Sequence, residues 1–412
     1  MKLSYIPTYL LLSALIFCGL FLQENTFSAS SLTTEYQLPE KEIQIPATTA
    51  APLPPSLNAK YACVMDAGSL RPLYSKNGTQ QVPMASTTKI MTAILALESH
   101  CQSDTVTASA KAASMPKVHL GMTAGMKFHM SDLLYSLMLE SHNDTAVAIA
   151  EHIGQSTEGF ASLMNKKAKE IGMTHTHFVT PNGLDADNHY STAEDMCRLA
   201  AYAIKNQEFL TLVQTKSHSF TDLSGAHSYS LYNRDSFLSY YDGALGIKTG
   251  FTNKAGYCFV GAASRSGTTL TSCVLASGWP PNRSYKWLDT KNLMDYGYLN
   301  FYQSEFPIQN LAQAKIPVID GKKELVSLSS IPRIPVLLSR FDKLTIRYHI
   351  PDSLYAPVRK ETPIGQVTFF INDKQFKVEK VFPIESIEKS SFSDKIERVL
   401  HIWMEIFGFL KT

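Results

Sequence analysis

Pro83-Met84-Ala85-Ser86-Thr87-Thr88-Lys89-Ile90-Met91-Thr92 is the stretch on which the reading of this chain turns. A short polar loop runs into apolar positions Ile90, Ala93, Ile94 and Leu97, which recur at helical spacing with no Gly or Pro until well beyond His100. The pattern predicts a buried helix with Ser86 in its first turn and Lys89, three residues on, projecting from the same face. An amine is thereby placed beside a hydroxyl. A serine hydroxyl needs a base to become a nucleophile, and a lysine holds its proton up to about pH 10.4, so Lys89 serves only if its pKa is depressed. The first turn of a helix and a second cation, for which Lys248 is the candidate, would both push it down.

Working outward, Tyr61-Ala62-Cys63-Val64-Met65 reads as a strand entering a turn at Asp66-Ala67-Gly68, with Pro72-Leu73-Tyr74 returning. Ser191-Thr192-Ala193-Glu194 has the form of a capping box ahead of Met196, Leu199, Ala200 and Ala203, which predicts another helix. Gly246 to Gly250, Tyr257 to Ala263 and Thr268 to Leu275 read as successive strands, so the region is a sheet flanked by helices. Past Phe306, Leu344, Ile346, Tyr348 and Ile350, then Val367, Phe369 and Ile371, alternate with polar residues, the mark of a small β domain. The end of the chain returns to helical spacing, with Ile396, Val399, Leu400, Trp403, Phe407 and Leu410 on one face, a stripe suited to a membrane interface.

The 412 residues exceed one average domain. With 38 basic against 36 acidic residues, a net charge of +2 argues against a nucleic-acid partner. Lys2 followed by the apolar run Leu10 to Leu22 and small residues at Ser28-Ala29-Ser30 reads as a cleaved export signal, and the run is shorter than the roughly 20 residues that span a bilayer. The chain divides as 1–29 signal, 30–59 Ser/Pro-rich spacer, 60–303 catalytic domain, 307–389 β-rich domain and 391–412 amphipathic helix. Cys63, Cys101, Cys197, Cys258 and Cys273 remain after the leader, an odd count with no C-x-x-C pair, so no disulfide scaffold is expected. No metal spacing appears, and neither metal nor cofactor is called for.

A lone S-x-x-K is weak evidence, and Ser386-Ile387-Glu388-Lys389 matches it too. Ser86-x-x-Lys89 has company: Ser141-His142-Asn143 and Lys248-Thr249-Gly250 follow it in order, the signature shared by penicillin-binding proteins and class A β-lactamases. A class A β-lactamase also needs Glu-x-x-Leu-Asn between the second and third motifs, and none of Glu151, Glu158, Glu170, Glu194 and Glu208 has leucine three residues on.

With these motifs, Ala168-Lys169-Glu170-Ile171-Gly172-Met173, Thr180-Pro181-Asn182-Gly183-Leu184-Asp185 and His189-Tyr190-Ser191-Thr192-Ala193, the chain resembles the low-molecular-weight penicillin-binding proteins, the D-alanyl-D-alanine carboxypeptidases of serine peptidase family S11. The resemblance implies an α/β (α+β) catalytic domain like that of serine β-lactamases and transpeptidases, with an antiparallel sheet flanked by helices, then a small all-β domain and an amphipathic anchor. It implies that Ser86 forms an acyl-enzyme, Lys89 takes its proton and Ser141 relays a proton to the leaving D-alanine. Asn143 would order the polar network and the substrate amide, Lys248 and Thr249 would hold the terminal carboxylate with Gly250 also lining the substrate site, and the N–H groups of Ser86 and Phe251 would form the oxyanion hole. The implied partners are the peptidoglycan stem peptide, β-lactams and a membrane surface, in the periplasm or on the outer face of the cytoplasmic membrane; the alternatives are DD-endopeptidase action on wall crosslinks and a non-catalytic wall-binding protein, against which the three intact motifs argue. One departure is His142, where the family often has Gly; it reads as a tolerated substitution.

Overall fold

The computed structural model describes residues 42–308 and 310–406, the side chains at 403, 405 and 406 excepted. The export signal at 1–29, the first part of the spacer and the stripe positions Phe407 and Leu410 lie outside the described residues. The described residues form two compact units, one comprising Ala47–Phe306 with Ile334–Asp342, the other 42–46, Pro307–Arg333 and 343–406.

The first unit is built on strands β1 (Tyr61–Asp66), β2 (Pro72–Lys76), β3 (Ala244–Thr252), β4 (Gly256–Arg265) and β5 (Thr268–Leu275), which pair antiparallel in the order β2-β1-β5-β4-β3. Successive residues of β1 face opposite sides, and both sides are buried. Cys63 and Met65 join a core with Val260, Ala262, Cys273 and Leu275 that also takes Met196, Cys197 and Ala200 of helix α4 (Ala193–Ala203). Ala62 and Val64 join a second core with Phe259, Ala263, Leu270 and Val274, covered by Leu293 and Met294 of α5 (Tyr285–Asn300). Two covered faces explain why the strands read as unbroken apolar runs. Helices α1 (Lys89–Glu98), α2 (Asn143–Gly154) and α3 (Thr157–Glu170) extend the first core on the side of α4. The five cysteines among the described residues are buried and free, and burial pushes the Cys63, Cys197, Cys258 and Cys273 thiols up, Cys258 to about 12.

In the second unit, β6 (Leu344–His349), β7 (Gly365–Ile371) and β8 (Lys374–Val381) form an antiparallel sheet whose fourth strand is Glu42–Ile45, paired along β6. Helix α6 (Phe392–Ile406) is tied to the β domain by charge: Lys395 to Asp320 at 2.9 Å and Arg398 to Glu324 at 3.2 Å. Its Phe392, Ile396, Val399, Leu400, Ile402 and Met404 are exposed.

Three details depart from the sequence reading. Glu42–Ile45 is a strand, although its Pro- and Thr-rich surroundings read as spacer; four residues are too few for alternation to outweigh that composition. Ile334–Asp342, placed in the β domain, packs with the first unit, where Pro335–Leu338 pairs with Tyr302–Glu305. The cap of α4 is Thr192, whose hydroxyl accepts from Asp195 N, while Glu194 accepts from Ser75 Oγ at 2.6 Å instead of closing a capping box with Ser191.

Candidate active site

Ser86 lies in a 3-10 turn, Ala85–Thr88, that leads directly into α1. The two hydroxyls that follow Ser86 rivet the turn: Thr87 Oγ1 donates to Met84 O at 2.6 Å and Thr88 Oγ1 to Ala85 O at 2.8 Å. His189 supports it from outside. Its Nδ1 accepts Val179 N, so its hydrogen sits on Nε2, 3.0 Å from Thr88 Oγ1, and burial holds the ring neutral with a pKa of about 4. Ala85 itself takes φ +50°, an uncommon conformation for a residue with a Cβ, immediately before the serine.

Two glycines let other backbones close on this turn. A Cβ on Gly183, which has φ +82°, would stand 2.0 Å from Ala85 O. A Cβ on Gly250 of β3 would stand 2.9 Å from Ser86 N and 3.1 Å from Thr87 N. Strand β3 therefore runs against the N-terminal end of the serine turn, which puts the Ser86 amide beside the Gly250-Phe251 backbone.

Lys89 is fully buried, and its Nζ lies 2.9 Å from Ser86 Oγ, 2.8 Å from Asn143 Oδ1 and 2.7 Å from Asn182 O. Burial pulls its pKa well below the usual lysine value and Lys248 adds like-charge repulsion, while Asp144 opposes both. Asn143 opens α2, and its amide nitrogen donates to Pro116 O at 3.2 Å, which fixes its oxygen toward Lys89. Next to it, Asp144 accepts from the backbone N–H groups of Leu120, Gly121 and Met122 and so shapes the 118–122 loop over the motif.

Ser141 follows a π-turn, Ser136–Glu140, and adopts the left-handed conformation at φ +69°. A π-turn in that place is a common device for presenting a functional residue. Its hydroxyl is partly exposed and makes no hydrogen bond to Ser86 or Lys89 among the described residues. His142 turns the other way, into the protein: Nδ1 is 2.8 Å from Ser136 Oγ, which also meets Thr145 Oγ1 at 2.8 Å, and burial lowers its pKa to about 4.

Lys248, Thr249 and Gly250 lie within β3, not at a strand end. Lys248 is buried, Thr249 partly exposed and Phe251 exposed, its ring tilted against that of Tyr257 with centroids 4.7 Å apart. Ser86, Lys89 and Asn143 are thus brought into direct contact, with Gly250 packed on the serine turn. Among the described residues, no group of three or more His, Cys, Asp or Glu side chains is placed to hold a metal. Ser386 and Lys389 sit in extended chain on the β unit, Ser386 Oγ accepting from Lys360 N at 2.9 Å; without a helical turn a lysine three residues on does not come back to the serine.

Asn182, Gly183 and His189 also belong to the site, a role that their sequence stretches alone do not announce. The Asn182-Gly183 pair signals a turn, but nothing local shows that its carbonyl points at Lys89 across 93 positions.

The family model described as D-alanyl-D-alanine carboxypeptidase matches residues 47–278, and that of the penicillin-binding protein 5 C-terminal domain matches 301–389. The chain belongs to the S11 family of D-alanyl-D-alanine carboxypeptidases. It is 28% identical over 353 residues to D-alanyl-D-alanine carboxypeptidase DacF of Bacillus subtilis, covering 84% of this chain and 90% of that one. It is 28% identical over 386 residues to DacA of Escherichia coli, covering 86% and 91%. Among solved structures, penicillin binding protein 5 from Haemophilus influenzae superposes with a TM-score of 0.68 at 26% identity, over 82% of this chain and all of that one. A serine-to-alanine mutant of a Streptomyces DD-transpeptidase gives 0.56 at 31% identity, over 60% of this chain and all of that one.

Proposed function

We propose that this carboxypeptidase removes the terminal D-alanine from peptidoglycan stem pentapeptides through an acyl-enzyme on Ser86, and that penicillins acylate the same hydroxyl. The observation that carries the reading is the set of partners around Lys89 Nζ. A neutral amine has two N–H donors and one lone pair. Asn143 Oδ1 and Asn182 O can only accept, so they take the two donors, and the lone pair is left for the Ser86 hydroxyl at 2.9 Å.

Lys89 then takes the proton as Ser86 Oγ attacks the carbonyl between the two D-alanines. The oxyanion is met by the N–H groups of Ser86 and Phe251, which the close approach of Gly250 brings together. Ser141, whose partly exposed hydroxyl has no hydrogen-bond partner among the described residues, passes a proton to the leaving amine, and Asn143 orders the substrate amide. Lys248, a buried cation, and Thr249, a partly exposed residue beside it, hold the terminal carboxylate. Water hydrolyses the acyl-enzyme.

We place the enzyme outside the cytoplasmic membrane, exported by its N-terminal segment and resting on the membrane surface through α6. Support comes from the exposed apolar side chains of that helix, whose charged residues are engaged by the β domain. No helix among the described residues is long and apolar enough to cross a membrane.

Labelled penicillin is expected to attach covalently to the purified protein and not to Ser86→Ala. Free D-alanine is expected from a defined pentapeptide with the wild type alone. Labelling that survives the substitution would overturn the assignment of Ser86.

A further inference from the structure

Two buried groups on β3 and beside it are each short of a partner. Lys248 is 2% exposed, and its Nζ, with three N–H donors when charged, makes one hydrogen bond among the described residues, to Thr249 O at 3.3 Å. Asp235 is 7% exposed. Its Oδ1 accepts from Phe237 N at 2.9 Å, and its Oδ2 is buried with no hydrogen-bond partner. A buried carboxylate oxygen left unpaired is rare and calls for a reason.

The backbone holds that carboxylate in place. Asn233 Oδ1 accepts Asp235 N at 2.9 Å while Asn233 Nδ2 donates to Val213 O and Thr215 O, and Arg234 N donates to Leu139 O at 3.2 Å. Oδ2 faces β3: a Cβ on Gly246 would lie 3.7 Å from it. Gly246 and Lys248 are two residues apart on one strand and so share a face. Asp235 is accordingly a negative charge on the side of β3 that carries Lys248, acting on it through space beyond the 4 Å of a direct ion pair.

We propose that Asp235 is a positioning residue for the carboxypeptidase reaction, holding Lys248 as an ammonium aimed at the substrate's terminal carboxylate. The proposal rests on the reading of Lys248 as the carboxylate anchor. Burial pulls Lys248 down to about 8 and pushes Asp235 up to about 7, each opposed by the charge of the other. Other charged groups reach the pair from two helices. Lys89 of α1 repels Lys248; Lys286 of α5 acts on Asp235, but its Nζ donates to Arg283 O at 2.8 Å and lies over the rings of Tyr257 and Trp287. With Asp235 neutral, Lys248 loses its proton at lower pH. It then no longer binds the carboxylate.

The test is Asp235→Asn, which keeps the shape and the acceptor for Phe237 N. Its kcat and KM would be followed against pH for an N-acylated peptide ending in D-Ala-D-Ala and for the same peptide as its C-terminal amide. The alkaline limb of kcat/KM for the free acid is expected to move down by about one pH unit, through KM more than kcat, with the amide unaffected. An unmoved limb, or an equal fall for acid and amide, would overturn the proposal. If the asparagine variant does not fold, Asp235→Glu keeps the charge and is expected to keep the wild-type limb; a shifted limb there overturns it as well. A wild type that releases no D-alanine from the free acid is the separate failure of the functional reading.

Discussion

Asn182 offers its carbonyl oxygen to Lys89 Nζ at 2.7 Å, a shorter contact than the 2.9 Å between that nitrogen and Ser86 Oγ. The loop that orients the base is thus held closer to it than the nucleophile is. What keeps the loop there is Gly183, whose missing side chain lets it rest on Ala85 O.

Gly183→Ala therefore strains the site twice, through a positive φ and through overlap with backbone. A loss of about 2–4 kcal/mol is expected from the two together, with penicillin acylation reduced beyond what unfolding explains. Thermal unfolding and acylation rates on the folded fraction check this; a variant with wild-type acylation would show that the loop is not what orients Lys89.

Gly250→Ala should separate stability from rate. The added Cβ meets Ser86 N, Ala85 Cβ and Thr87 N, so β3 must back away from the serine turn by a few tenths of an ångström or more. Acylation is expected to fall by about 10²-fold, since misplacement approaching an ångström costs that much, while the melting temperature changes modestly. Unchanged acylation kinetics would mean that the strand's close approach does not matter to the reaction.

Lys89→Ala removes the base but leaves Ser86 Oγ in place. The expected loss in acylation rate is about 10²–10⁴-fold, the usual worth of a general base. Stopped-flow measurement with a chromogenic β-lactam would read it. A loss below tenfold would point to another base.

Acid stability should report the two buried imidazoles. His142 and His189 each titrate near 4 in the fold against about 6.5 in the unfolded chain, because burial disfavours the cation. A depressed histidine contributes stability in full above its unfolded pKa and loses it as pH falls from about 6.5 through 4, up to about 3 kcal/mol per residue at 1.36 kcal/mol per pH unit. Asp235, raised in the fold, acts with the opposite sign, so the net fall is smaller than the sum. Denaturant melts between pH 7 and 4.5 should show His142→Gln losing less stability than wild type; parallel curves would remove His142 from the account.

Membrane contact by α6 is expected to depend on its apolar side chains. Vesicles containing anionic lipid should retain the full chain, and Leu400→Glu with Ile396→Glu should release it without changing turnover of a soluble peptide. Equal retention of both proteins would remove the helix as the contact.

Much of the catalytic unit could be read from the chain because its strands are short, buried on both faces and separated by turns, and because helix α1 carries an uninterrupted apolar pattern. The alternation in β6 and β7 was equally plain. What stayed hidden was long-range. The carbonyl of Asn182 and the imidazole of His189 act across 93 and 101 residues, and the unpaired oxygen of Asp235 faces a neighbouring strand, contacts that no local period reports. The cap of α4 shows the limit at short range. Ser191 and Thr192 both suit a cap, and the preference was settled by Ser75, from another strand, engaging Glu194.

The strand Glu42–Ile45 has a consequence for the order of folding. Its partner residue Arg347, reached by the Glu42 carboxylate at 2.7 Å, lies 305 positions away, with the whole sheet of β1 to β5 encoded between them. A polypeptide emerging from its N-terminal end must carry this segment unpaired until β6 arrives, long after the catalytic sheet can close. Non-local pairing of this kind is slow, so the β unit should be the last part of the molecule to acquire protection from proteases, and the stretch around Glu42 the last within it.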